Sequence, residues 1–180
     1  MAEEKKEKWT NYLAITTVLI AVCATLSTFK GGGYSNKSLM SQSKASDQWS
    51  FYQAKSMKGY MFQMQKDNFE LQRDLIAKSK GSDDLIARFN AKIEDYDKKY
   101  KQYEVDKEQI SSEAKKFEAE KEQFKRHSSA FGMAVIFLQI SILLSSISML
   151  AKKKVVWYLS LAVGVVGVFY FCNGFFLFIG

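Results

Sequence analysis

Proline is absent from all 180 residues, so nothing in the chain removes a backbone donor or forces a long helix to break. A single histidine cannot supply the paired imidazoles of a His-based metal site, and two cysteines cannot build a disulfide framework. These scarcities argue against a secreted disulfide module, a zinc finger and most His-dependent enzymes. Charge is also missing where it matters most. Residues 9–29, 128–151 and 155–180 contain no Asp, Glu, Lys or Arg. A bilayer core needs roughly 20 apolar helical residues, so each run is long enough to span. No charged proton or ion relay lies inside any run, which argues against a pump or secondary transporter.

What is present is segregated. A charged N-terminal segment, 1–8, precedes the first run, and Lys152, Lys153 and Lys154 alone join the second to the third. Residues 30–127 carry 20 Lys plus Arg against 16 Asp plus Glu, charged but nearly balanced. The pattern predicts an all-α membrane protein with three transmembrane helices and a long antiparallel coiled-coil hairpin between the first and second. The first run does not read as a cleaved signal peptide, because its leading segment is neutral rather than basic. Leu19 to Cys23 faintly resembles a lipoprotein box, but Val22 stands where a small residue is needed. The basic clusters at Lys5, Lys6, Lys8 and at 152–154 fall on one side of the membrane if all three runs cross. The positive-inside rule then puts the N-terminus in the cytoplasm and the excursion outside, which in a Gram-negative cell is the periplasm.

The hairpin is read from its heptads. Ile86, Ile93, Tyr100, Lys107, Ala114, Lys121 and Ser128 take a positions; Phe89, Tyr96, Tyr103, Ile110, Phe117, Phe124 and Phe131 take d positions. The register runs into the second span without Gly or Pro, so one helix is expected from about 83 to about 150. Gly81 and Ser82 mark the turn. Gly31-Gly32-Gly33 reads as a membrane-exit hinge, with Ser35, Asn36 and Ser38 offering caps for an arm over 37–80 that faces a return arm over 83–127. Trp49, Tyr52, Met57, Tyr60, Met64, Leu71 and Leu75 are expected on the outgoing arm's inner face. The facing pairs would be Trp49 with Ala114, Ala45 with Phe117, Leu39 with Phe124, Tyr60 with Tyr103 and Leu75 with Phe89. The nearly all-aromatic d row is wide for two helices, which points to a third covering surface.

Chemistry is sparse. His127 beside Arg126 has no second catalytic group placed with it and reads as an interfacial polar residue. Met57, Met61 and Met64 recur at helical spacing; thioethers suit Cu(I), but adaptable packing is the favoured reading. Cys23 and Cys172 read as small apolar packing residues. Mixed charge on the arms fits a solvated face, not nucleic acid. Small residues form i, i+4 rows in the spans: Thr17, Ala21 and Thr25; Ser141 and Ser145; Ser160, Gly164 and then Gly167. Gln139 and Asn173 are amides at membrane depth, able to bond between helices.

The block Trp49-Ser50-Phe51-Tyr52-Gln53-Ala54-Lys55, with Leu138-Gln139-Ile140 and the Lys152-to-Tyr158 run, resembles an uncharacterised bacterial three-span membrane-protein family known only as a domain of unknown function. The resemblance covers nearly the whole chain. It implies the three-span layout and no catalytic residue or cofactor. The sequence therefore points to a non-enzymatic scaffold that binds the bilayer and assembles as a homo-oligomer. The alternatives are an accessory or adaptor subunit of a larger membrane complex and, behind it, a pore. The expected interaction surface is Trp49, Phe51, Tyr52, Lys55, Tyr96, Tyr103, Phe117 and Phe124. The expected span-packing residues are Ala21, Thr25, Gln139, Ser141, Ser145, Gly164, Gly167 and Asn173.

Overall fold

The structure, a computed structural model, describes residues 8–78 and 83–179. The turn expected at 81–82 and nearly all of the charged 1–8 segment lie outside the described residues. Among the described residues there are three helices and no strand: α1 (Lys8–Ile76), α2 (Asp83–Ala151) and α3 (Lys154–Phe176). Each contains a stretch long and apolar enough to cross a membrane.

The hinge expected at Gly31-Gly32-Gly33 is not there, and no new helix starts near 37: α1 is helical throughout. Glycine weakens a helix by about 1 kcal/mol per residue relative to alanine but keeps its N–H, so three in a row do not break one that is held by packing. Gly31 also has a contact role. Its carbonyl accepts the Ser128 hydroxyl at 3.1 Å, and a Cβ there would sit 3.1 Å from that of Phe131.

The chain falls into two compact units, Met1–Met40 with Glu120–Gly180, and Ser41–Ala119. In the first, Ile20 and Ala24 of α1 pack with Ala134 and Leu138 of α2, and Tyr170 and Phe171 of α3 lie against them. Lys152 ends α2 in the left-handed region (φ 52°) and Lys153 is extended, its carbonyl taking the Ser148 hydroxyl at 3.0 Å. That pair of residues reverses the chain, and α3 begins at Lys154.

In the Ser41–Ala119 unit, a row on α1 is withdrawn from solvent: Ser41, Ala45, Gln48, Tyr52, Lys55, Gly59, Phe62, Lys66, Phe69, Arg73 and Ile76. Its steps alternate 4 and 3, the heptad signature. On α2 the row from Ile86 to Phe117 named above is likewise withdrawn. Contacts descend along α2 as they rise along α1: Trp49 meets Glu118, Lys55 meets Asp106, Phe62 lies between Tyr103 and Tyr96, and Phe69 lies between Tyr96 and Phe89.

The inner face expected for α1 is corrected here. Met57, Tyr60, Met64, Leu71 and Leu75 are exposed, and so is Leu39, whose place against Phe124 is taken by Tyr34. The withdrawn row looks polar in sequence because three of its positions are Lys55, Lys66 and Arg73. Lys55 and Lys66 turn their ammoniums to Asp106 and Asp97 of α2, and the Arg73 guanidinium reaches Asn90 of α2 and Asp74. Gly59 is the residue that approaches Tyr103, at 3.8 Å between Cβ positions, where Tyr60 had been expected.

Candidate functional site

The structure gathers two sets of the singled-out side chains, one in each unit. In the first unit the serines expected to pack are held by hydrogen bonds. Ser141 donates to the Ser160 carbonyl at 2.8 Å, Ser160 returns a bond to the Ser141 carbonyl at 2.9 Å, and the Ser145 and Ser160 hydroxyls lie 2.7 Å apart. All three serines are fully buried. Hydroxyls in an apolar interior cost free energy unless paired. Among the described residues every buried side-chain nitrogen and oxygen has a partner.

Close approach of the helices comes from glycine. A Cβ at Gly164 would fall 2.9 Å from the Ser141 hydroxyl oxygen; one at Gly167 would fall 2.7 Å from Leu138 Cγ and 3.0 Å from its backbone nitrogen. Gly174 does the same for the Phe131 ring, at 2.7 Å. Phe131, fully buried, is also edge-on to Phe171 and Phe175 and stacked on Tyr34. His127 stacks on Tyr34 with centroids 4.5 Å apart, and its Nδ1 lies 2.8 Å from the Gly174 carbonyl oxygen. That bond makes the Nδ1 the protonated nitrogen, leaving the histidine a structural clasp between α2 and the end of α3.

Four expected packing residues are placed differently. Thr25 faces outward, its hydroxyl bonded to the Ala21 carbonyl of its own helix, and Ala21 is only half-buried. The buried row of α1 is Leu13, Ile20, Ala24 and Ser27. Gln139 is exposed. Asn173 is buried, but it bonds within its own C-terminal turn: Oδ1 accepts the Ile179 N–H at 2.8 Å and Nδ2 donates to the Ile179 carbonyl at 3.3 Å. A helix-end carbonyl and N–H left without intrahelical partners are the nearer claim on an amide. Leu177, left-handed at φ 51°, makes that turn possible.

In the second unit most of the expected interaction surface is turned into the chain's own contacts. The Trp49 indole donates to Glu118 at 2.9 Å, and the Tyr96 and Tyr103 rings lie tilted against Phe62. The Lys55 ammonium pairs with Asp106 and sits 4.6 Å over the Tyr103 ring; Lys107 lies over Tyr52, and Lys44 over Phe117. Phe124, in the first unit, lies beside Tyr34 under Lys37. Phe51 alone of the eight is exposed. Sequence reasoning missed Gly59, Phe62 and Phe69, although the unbroken 4-3 spacing from Ser41 to Ile76 contains them.

Ion pairs tie the two rows together. Asp97 accepts from Lys101 and from Lys66, both at 2.7 Å, and these bonds hold its carboxyl at about 2, below its ordinary 3.8. Lys66 is raised by the bond to Asp97, and Asp106 is lowered by Lys55. A carboxyl depressed by folding stabilises the fold above its unfolded value and loses that contribution as pH falls through the folded one. The expected result is a drop in thermal midpoint of the detergent-solubilised chain between about pH 4 and 2. Asp97→Asn should flatten that drop in a circular-dichroism melt; an unchanged slope would remove Asp97 from the account.

Among the described residues no three His, Cys, Asp or Glu side chains gather to hold a metal, and Met57, Met61 and Met64 are all exposed. What fold and contacts define is an all-helical protein with three helices able to cross a membrane. The chain belongs to the family described as Domain of unknown function (DUF4337), whose model matches residues 9–177. No curated protein and no solved structure matches the chain.

Proposed function

We propose that this chain is a non-catalytic integral membrane scaffold of the bacterial inner membrane. It acts through an antiparallel coiled-coil hairpin formed by the Ser41–Ala119 unit, and it assembles with further copies of itself. The observation that carries the reading is the interlocked row of aromatic and ion-paired contacts from Trp49–Glu118 to Phe69–Phe89. Those contacts spend the unit's polar and aromatic residues on a stiff arm. The hairpin lies on the periplasmic side, with Lys152, Lys153 and Lys154 held in the cytoplasm by the positive-inside rule.

Two measurements test this. A Gly59→Cys, Tyr103→Cys pair is expected to form an intrachain disulfide, since the Cβ positions are 3.8 Å apart, while Tyr60→Cys with Tyr103→Cys is not. Failure of the first pair sinks the hairpin register. Native mass spectrometry of protein extracted in mild detergent is expected to show multiples of the 20.6 kDa chain. A peak carrying other polypeptides would instead favour an accessory subunit, a reading that the exposed apolar side chains on α1 also fit.

A further inference from the structure

We infer that the outer face of α1 in the Ser41–Ala119 unit is a second helix-pairing seam, and that its occupant is the same face of a second copy of this chain. The inference rests on the scaffold reading and supplies the interface that reading lacks. Opposite the row that meets α2, the residues Ala54, Met57, Met61, Met64, Asn68, Leu71 and Leu75 recur at alternating steps of 3 and 4. The Met and Leu side chains are 57–67% exposed. In a helix already paired through its a and d positions these are the c and f positions, which a two-stranded coiled coil normally leaves to charged residues. On α2 the corresponding outer positions are mostly polar: Lys98, Gln102, Gln109, Ser112 and Lys116 are exposed there, with Val105 the one large apolar side chain among them. The second seam therefore belongs to α1 alone.

A 3.5-residue repeat kept over three heptads calls for a helix as partner, not a flat surface. Several features select the same helix from another copy. Two copies inserted the same way up in one bilayer run their α1 segments in the same chain direction. In a parallel, in-register pair each seam residue meets its own counterpart. Asn68, the one polar side chain in the seam, would then meet Asn68, the arrangement by which a single buried Asn sets register in parallel two-stranded coils. The flanking pairs in that register are Gln53 with Lys58, Tyr60 with Gln65 and Asp67 with Gln72, so no like charges are opposed. The five large apolar side chains offer on the order of 600 Å² per copy, roughly 1,200 Å² for a pair, which reaches the range of a specific interface.

The test is a cysteine scan in native membranes, in a Cys23→Ser, Cys172→Ser background. Under mild oxidation, Met57→Cys, Met64→Cys and Leu71→Cys are each expected to link two chains. Lys98→Cys and Ser112→Cys on the outer face of α2 are expected not to. Absence of linking at the α1 positions, or equal linking at the α2 positions, overturns the inference. A second measurement separates it from the scaffold reading. Met64→Asp with Leu71→Asp, both at exposed positions, should leave helical ellipticity unchanged and reduce the native mass to one chain. Multiples of the chain that persist in this variant overturn the seam and leave the scaffold standing. A parent protein that is already a single chain overturns both.

Discussion

Phe131→Ala is expected to destabilise the unit built from Met1–Met40 and Glu120–Gly180 by about 3 kcal/mol, toward the lower end of what Phe-to-Ala truncations cost in cores. The ring is fully buried and is the shared contact of α1, α2 and α3, touching Tyr34, Gly174, Phe171 and Phe175. In a bilayer the hydrophobic transfer term between helices largely vanishes, so the cost comes from lost packing around the cavity. Phe178, 65% exposed, is the control and should tolerate alanine with little change. Reversible unfolding in mixed micelles of SDS and mild detergent reads the difference. Equal midpoints for the two variants would mean that the three helices do not converge on Phe131.

Gly167→Ala and Gly132→Ala are the same chemical change with opposite expected signs. At Gly167 the added carbon would lie 3.0 Å from the backbone nitrogen of Leu138, which cannot swing aside as a side-chain tip would. Overpacking of that kind costs about 1–3 kcal/mol. At Gly132 nothing lies within 4 Å, so alanine should be neutral or stabilise by up to about 1 kcal/mol through helix propensity. The same micelle titration measures both. Loss at both positions would mean that the glycines matter for helix conformation and not for the approach of α3 to α2.

Much of the secondary structure was legible in the sequence because it depends on local chemistry. The uncharged runs, the absence of proline and the acidic first turn at Asp83 and Asp84 place both ends of α2 and the start of α3 within a residue or two, although α3 stops at Phe176 and the third run continues to 180. The serine and glycine rows of the second and third spans were legible for a related reason. Ser141, Ser145, Gly164 and Gly167 are small, and few positions on a membrane helix let another backbone come close. The errors arose where local chemistry had two answers. Glycine can end a helix or ride inside one, and at Gly31 the neighbouring Phe131 and Ser128 decide. Asn173 had the choice of a neighbouring helix or its own frayed end.

α1 shows the division most clearly. The sequence by itself contains two rows of alternating 3 and 4 spacing on this helix, one from Ser41 to Ile76 through Ala45, Gly59 and Phe62 and one from Ala54 to Leu75 through Met57, Met64 and Leu71. Hydrophobicity alone favours the second as the inner face. Only the tertiary structure decided for the first. The Tyr96 and Tyr103 rings lie against Phe62 of the first row, and Asp97 and Asp106 take the ammoniums of Lys66 and Lys55. Those contacts are set by α2 and so cannot be read from α1. Once made, they turn the more apolar row outward.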